Sequence, residues 1–498
     1  MSLIRKIFPP LITGICLITF VFCYCCAMEY SYHCFTSLRI ILYSLLGAVT
    51  LGGIYLLLRF LSRFQSLMKA LFLVIFLGFV SLCLYFNFTC KNDYNSIIDY
   101  GFIVDAAEEY ARIGNQFDYS YFSNFTVNIF VTFVLSWLIK LSWLLHVEDY
   151  YYVFAAIATI IEAITMLSVA YLAYSHQKKI HDAIMAMIAL GCFLPMYALM
   201  PFLYTDMMTF CTIPVTFALM KIARQNKSKT KASLLNALAG LILAFGILVK
   251  FTVIIPMIAL LIIFFLRKEK MGLWVLASVC CLGVLCGKLY IQSHDFMKEC
   301  QKTENPSSAW ILTGMSENGS FAKAYHTTIK GMYDYETKEE KDAYCKALIK
   351  ENWPVFFDPM HYVKKTERVY GLCDFGITEY EVTGAPGHEY NRIYMYFSKY
   401  EKTYATVLDL SASYLGSILL IFIIGLVFEL RDQRKKQEIS PLCQIISLSF
   451  VGYFLFLMLM ETSHHQIFNL MPLMFTGVAI CLNRILQFPI KEKDAANE

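Results

Sequence analysis

The sequence predicts an all-α polytopic membrane protein, and three observations carry that prediction. The chain of 498 residues is 58% hydrophobic and only 16% charged, where an average soluble domain has about a quarter of its residues charged. Its mean hydropathy is +0.55. Apolar runs of roughly 20 residues, each enough to cross ~30 Å of hydrocarbon, recur from one end to the other. The formal charge of +4 is small for this length and offers no basic footprint for nucleic acid.

In order, the apolar segments are 8–27, 40–60, 67–88, 127–146, 150–174, 182–202, 205–222, 233–249, 252–266, 272–291, 408–430, 441–460 and 467–485. Arg5 and Lys6 precede the first, which reads as a retained signal anchor because no small-residue cleavage site followed by a soluble domain is present. Lys and Arg mark cytoplasmic ends: Arg59/Arg63, Lys178/Lys179, Lys221 to Lys231, Arg267 to Lys270, Arg431 to Lys436 and Lys491/Lys493. Counting from these, the polar interval 92–128 is external and Lys178/Lys179 internal, so the two segments between them must make an odd number of crossings. Segment 127–146 contains Lys140 and is followed by His146-Val147-Glu148-Asp149. It is expected to dip into the outer leaflet and return, or to pack inside the bundle. About 12 transmembrane helices remain, with both termini on the cytoplasmic side of the plasma membrane.

The resulting organisation is an N-terminal transmembrane module, 1–291, with an external loop at 89–127; an extracytoplasmic domain of mixed helix and loop, 292–406; C-terminal transmembrane helices, 407–486; and a cytoplasmic tail, 487–498. The 17 cysteines lie mostly inside apolar runs, where they act as small hydrophobes. Cys90, Cys300, Cys345 and Cys373 in polar stretches show no CxxC spacing, and a disulfide among them is left open.

Four polar spots fall on the external side. From Ile98 the residues Ile103, Ala106, Ala107, Tyr110 and Ala111 recur at helical spacing, opposite Glu108, Glu109 and Arg112. This predicts a surface helix with Asp99 one turn before Ile103, near the tyrosines Tyr119 and Tyr121. Asp206 sits in Tyr204-Thr205-Asp206 between two spans. Lys250 interrupts the apolar interval 233–266, which is too long for one span and fits a hairpin with the lysine at its external turn; charge at such depth is costly and usually functional. Glu461 to His465 form a short turn between the last two spans. Each spot has a plain structural alternative: Asp99 and Asp206 as helix caps, Lys250 snorkelling to headgroups, and the adjacent His464 and His465 as a solvated turn.

In this layout the chain resembles the GT-C superfamily of polytopic glycosyltransferases, especially bacterial members akin to protein O-mannosyltransferases and aminoarabinose transferases. The resemblance rests on Asp99 ahead of Ala106-Ala107, on Tyr121-Phe122 leading to Asn128, on Tyr204-Thr205-Asp206, and on Lys250-Phe251-Thr252. Trp310 with Gly314-Met315 looks like the family's Trp-x-x-x-Gly element without its preceding histidine. The family's prolines are missing from the second and fourth elements, which marks a divergent member.

The resemblance implies a transferase of the cell envelope that moves a sugar from a polyprenyl-phosphate donor to a glycan, lipid or protein acceptor on the extracytoplasmic face, with inversion, among membrane lipids. Asp99 would be the general base, worth ~10²–10⁴-fold, and Asp206 would assist it or hold hydroxyls. Lys250 would stabilise the departing phosphate. Tyr204 and Trp310 would cover the sugar, and Tyr121, Asn128, Glu461 and His464 would line the substrate site. No cofactor is required, although the two aspartates with His464 and His465 leave room for a divalent cation. The rival readings are a polysaccharide polymerase or ligase, expected to rely on clustered external arginines, a lipid or glycan transporter (flippase), expected to carry charges at mid-membrane depth, and a GT-C-like scaffold without catalysis.

Overall fold

The computed structural model describes residues 2–29, 36–89, 98–115, 117–267, 272–371, 402–434 and 440–495, and among them no strand occurs. Three long apolar helices come first: α1 (Ser2–Glu29), α2 (Ser37–Leu61) and α3 (Gln65–Thr89). The short amphipathic α4 (Ile98–Ile113) follows, then α5 (Ile129–Leu144) and α6 (Tyr151–Gln177). The next apolar stretch is broken into α7 (Ile180–Gly191) and α8 (Leu194–Leu199), because Pro195 starts a new helix. Then come α9 (Thr205–Thr209), α10 (Thr212–Gln225), α11 (Lys229–Val249), α12 (Ile254–Arg267) and α13 (Leu273–Gln292). A helical cap contains α14 (Asp295–Thr303), α15 (Ser307–Gly314), α16 (Phe321–Ala324), α17 (Lys338–Asn352) and α18 (Pro359–Thr366). Three long helices close the chain: α19 (Lys402–Arg434), α20 (Pro441–Leu459) and α21 (Met471–Ala495).

Eleven helices among the described residues are long and apolar enough to cross a membrane. Their burial sorts them by position. The apolar window of α21 is 89% buried, against 11% for α3 and α13, so α21 runs through the bundle interior and the other two form its flanks. Leu73, Val74, Trp274 and Leu282 on those flanks point outward. Side chains this apolar on an outer surface require lipid around them.

The helices bring the basic segment ends together at one end of the bundle. Arg59 donates to the Leu486 carbonyl, Asn483 to Asp182, Arg267 to Gln444, and Arg484 pairs with the buried Glu429. The opposite end carries the polar spots singled out above and is covered by the cap. There Thr303 and Asn305 donate to the carbonyls of Ser123 and Asn124, and the amide of Thr462 donates to Gly319. Gly314 permits a close approach of backbones, since a Cβ there would lie 2.5 Å from the Leu459 carbonyl oxygen. Lys365, fully buried, donates to the carbonyls of Gly314, Met458 and Met460 at 2.7, 2.9 and 2.9 Å. Three acceptors match the three N–H groups of an ammonium.

Helix α5 belongs to this capped end. With the turn before it, Thr126–Leu144 has the length and hydropathy of a span, yet both its ends stay at the same end of the bundle. Asn128 meets Tyr121 and Tyr204 there. Just past its other end, Tyr150 donates to Glu108 of α4 and Tyr151 to the Asn87 carbonyl near the end of α3. Phe130 and Phe133 touch Phe245 and Tyr290, near the ends of α11 and α13. The segment is therefore one continuous helix packed alongside α4; it does not dip and return. Lys140 is accommodated with its ammonium 5.6 Å from the centroid of the Tyr110 ring. Two shorter apolar stretches do run from end to end. Asp182 of α7 accepts from Tyr55 at the basic end, while α8 leads to Tyr204 at the other; the turn Phe251–Val253 and α12 run on to Arg267.

Cys300 and Cys345 are buried free thiols whose burial pushes both up to about 11; Cys90 and Cys373 lie outside the described residues.

Candidate functional site

The apolar stripe of α4 is buried as its spacing predicts: Ile103, Ala106, Ala107, Tyr110 and Ala111 all face inward, while Arg112 is exposed. Asp99 occupies the first turn, where a carboxylate also suits the helix dipole. It is exposed although it shares the line of Ile103, and the buried face begins with the next residue, Tyr100. Its neighbour is Tyr121, in a 3₁₀ turn at Tyr121–Ser123, whose hydroxyl it accepts from.

From Tyr121 a polar chain leads inward. Asn128 donates through Nδ2 to the Tyr121 hydroxyl at 2.8 Å, and the Tyr204 hydroxyl lies 3.5 Å from Asn128 Oδ1. Tyr204 is buried, and burial pushes its hydroxyl far above the usual phenol range, reinforced by the charges of Asp99 and Asp206. Burial and the Asp99 carboxylate raise Tyr121 in the same way. Both phenols therefore stay protonated and serve as donors. The two aspartates flank Tyr204 and act on the same ring.

Asp206 lies in α9 but does not cap it; the cap position is Tyr204, and no side-chain cap bond is made there. The carboxylate is 3% exposed and turns to a lysine and a histidine from distant parts of the chain. Lys250, at the junction of α11 with the turn Phe251–Val253, pairs with Oδ1. His465 places Nδ1 2.9 Å from Oδ2. A carboxylate acceptor assigns the proton of that imidazole to Nδ1. Thr205 adds a long contact of 3.5 Å to Oδ2. Lys250 sits at the turn between α11 and α12, but the two helices part there, α11 packing on α10 and α13 and α12 on α20; its side chain is 10% exposed and paired, which rules out simple snorkelling.

The remaining predicted residues spread outward. Trp310, on α15 of the cap, faces Phe125 with ring centroids 6.3 Å apart, and Phe125 stacks on Tyr121 at 5.1 Å. It lies beside the outer end of the polar chain, away from Asp206. Glu461 belongs to the junction between cap and bundle: burial pulls Lys365 down to about 7, and Glu461 is the charge that opposes this. The side chain of His464 lies outside the described residues. Among the described residues no group of three or more His, Cys, Asp or Glu side chains gathers as a metal site, and both oxygens of Asp206 already meet nitrogen atoms.

Several buried acids were missed, among them Asp182 and Asp409, each 1% exposed, and Glu429, fully buried. Glu162, near the middle of α6, is 1% exposed and accepts from Asn87 of α3 at 3.2 Å. Asn87 also donates to Thr159 at 3.0 Å. A lone glutamate in the apolar run 157–167 was the available signal. Its place corrects the view that ionisable side chains collect only at the capped end.

A model of the family described as conserved hypothetical integral membrane protein matches residues 3–353, well over half of the chain, and the chain belongs to that family. No curated protein and no solved structure matches the chain.

Proposed function

We propose that this integral membrane protein is a glycosyltransferase of GT-C type, moving a sugar from a polyprenyl-phosphate donor to an acceptor hydroxyl at the capped, extracytoplasmic end of the bundle. The observation that carries the reading is the gathering of Asp99, Tyr121, Asn128, Tyr204, Asp206 and Lys250 into one polar chain from four separate parts of the sequence. The acceptor oxygen attacks the anomeric carbon, the bond from that carbon to the phosphate oxygen breaks, and the configuration inverts. Asp99, exposed at the outer end of the chain, takes the acceptor proton. The polyprenyl phosphate leaves with the bonding pair, and Lys250 meets the charge that develops on it. Asp206 is paired with Lys250 and bonded to His465 and so is a poor base; it positions Lys250 and His465. Tyr121 and Tyr204, kept protonated, hold the chain in place by donating to Asp99 and Asn128.

Asp99→Asn, tested in membranes with a radiolabelled polyprenyl-phosphate sugar, is expected to lower transfer ~10²–10⁴-fold while the protein keeps its thermal stability. Unchanged transfer would reject Asp99 as the base. The buried Glu162 favours a second reading, a lipid or glycan transporter, because ionisable groups at that depth commonly belong to transport pathways. Movement of the labelled lipid across vesicles, lost in Glu162→Gln while transfer persists, would select that reading.

A further inference from the structure

The cap reaches the polar site through one short connection. Between α20 and the turn His464–Leu470 the chain passes through Met460, Glu461, Thr462 and Ser463 without forming helix, so its backbone groups need partners from outside. The cap supplies them. We propose that Gly319, Lys365 and Arg368 are positioning residues for His465: they fix Thr462, and through it the direction in which His465 meets Asp206. In its bearing on sugar transfer the inference rests on the function proposed above.

Thr462 is fully buried, and each of its polar groups is engaged from the side of the cap. Its amide donates to the Gly319 carbonyl at 2.8 Å and its hydroxyl to the Asn318 carbonyl at 2.5 Å. Its own carbonyl accepts from Nε of Arg368, in the turn that continues α18, at 3.1 Å. Lys365 anchors the residues just before it. Two of its bonds go to the carbonyls of Met458 and Met460 at the end of α20, and the third, to Gly314, ties that end to α15. A lysine at a helix C-terminus also suits the dipole. Gly319 is the piece that no other residue replaces. Its φ of +73° is one that side chains rarely adopt, and a Cβ on it would lie 2.4 Å from Thr462 Oγ1 and 2.8 Å from Lys365 Cε.

Holding the end of α20 serves stability, and the bonds of Lys365 alone would suffice for that. The bonds to Thr462 reach further, to a residue three places before His465. Three residues span at most about 10 Å, and Ser463 between them is extended, so a displaced Thr462 carries the imidazole with it. A shift of about 1 Å takes the 2.9 Å contact between His465 Nδ1 and Asp206 Oδ2 out of hydrogen-bond range. The pair of Asp206 with Lys250 then lacks its second brace, and the lysine is no longer set in a fixed place for a departing phosphate. The site is thus complete only while the cap is docked.

The test treats the purified full-length protein in nanodiscs with diethyl pyrocarbonate, reads each histidine by tandem mass spectrometry, and measures transfer of labelled sugar by the same samples. Gly319→Ala is expected to speed modification of His465 about tenfold. Arg368→Gln and Thr462→Val, each removing a bond to the connection, should speed it about fivefold, and Thr462→Val, which keeps the shape, serves if the others fold poorly. His361, buried in the cap, should react as slowly as in wild type, and transfer should fall as His465 opens. His465 modified at the wild-type rate in the folded variants overturns the proposal. So does His361 reacting in step with His465, which would mean that the cap loosens as a whole. An opened His465 with unchanged transfer sustains the clamp and rejects the place of Asp206 in the reaction. Absence of transfer by the wild-type protein counts against the transferase reading alone, because the histidine readout needs no substrate.

Discussion

Asp206 and Lys250 can be dismantled from either side, and the two directions separate a structural ion pair from a working site. Their side chains are 4% and 10% exposed. Removing one partner of a buried pair strands the other, at a cost of about 3–5 kcal/mol. Lys250→Met belongs at the lower bound, because His465 at 2.9 Å still faces the abandoned carboxylate. Asp206→Leu belongs at the upper bound, because it abandons a lysine and a histidine together. Replacing both residues removes the charges that needed each other, so the double variant is expected to be more stable than the sum of the singles by about 2–3 kcal/mol. Denaturant titration in mixed micelles measures the cycle, and transfer of labelled sugar in membranes measures the function. If the proposed transferase function is right, a stable double variant without transfer is the expected result. Strict additivity of the singles would refute the coupling itself. A double variant with full transfer would refute the assignment of Asp206 and Lys250 to the site, whatever its stability.

Three further outcomes follow from the same geometry. His361 of α18 is buried, and burial with the nearby Lys365 holds its pKa down to about 4, against an ordinary 6.5. A histidine depressed in the fold binds fewer protons folded than unfolded, so stability is lost as pH falls from 6.5 towards 4, by about 1–2 kcal/mol between pH 7 and pH 5; limited proteolysis of the cap should quicken over that range in wild type and not in His361→Phe. Lys365→Met leaves three buried carbonyls without a donor and is expected to cost about 2–4 kcal/mol, seen as faster cleavage within 315–366, with the helix content of the bundle unchanged. Glu162→Gln keeps the shape of the side chain and removes an ionisable group from the interior, so it should leave sugar transfer within about twofold and stability unchanged or up to about 1 kcal/mol higher; a large loss of transfer would place Glu162 in the site's machinery.

What could be read from the sequence was whatever is written in local spacing. The stripe from Ile103 to Ala111 predicts α4 and its buried face because helical periodicity is a property of neighbouring residues. Lys250 and Asp206 stand out because a charge beside an apolar run is conspicuous, and the break between α11 and α12 follows from the length of that run. Their pairing could not be read. Lys250 is 44 residues from Asp206 and His465 is 259, and no local pattern states which distant segment a side chain will meet. His465 begins no local pattern that would point it at Asp206; it reaches the carboxylate from the turn His464–Leu470. Glu162 escaped because one acid in a long apolar run leaves the mean hydropathy of its helix high.

The segment before α6 shows how a global constraint reaches further than a local one. Hydropathy makes Thr126–Leu144 a span, and nothing within it says otherwise, since Lys140 is balanced by the ring of Tyr110 on another helix. The distribution of basic loops along the whole chain says the opposite, because two crossings cannot join opposite sides. The contacts agree with the count: Asn128 at the start of α5 and Tyr150 just beyond its end both bond to groups at the capped end. An apolar helix that stays at one end of the bundle must bury its faces against protein or the boundary of the bilayer, and α5 does so against α4, with Phe133 beside Tyr110 and His294. The two helices together form the floor on which Asp99, Tyr121 and Asn128 stand. In the proposed reaction, the base Asp99 is thus carried by a helix packed on one whose two ends both stay at the capped end.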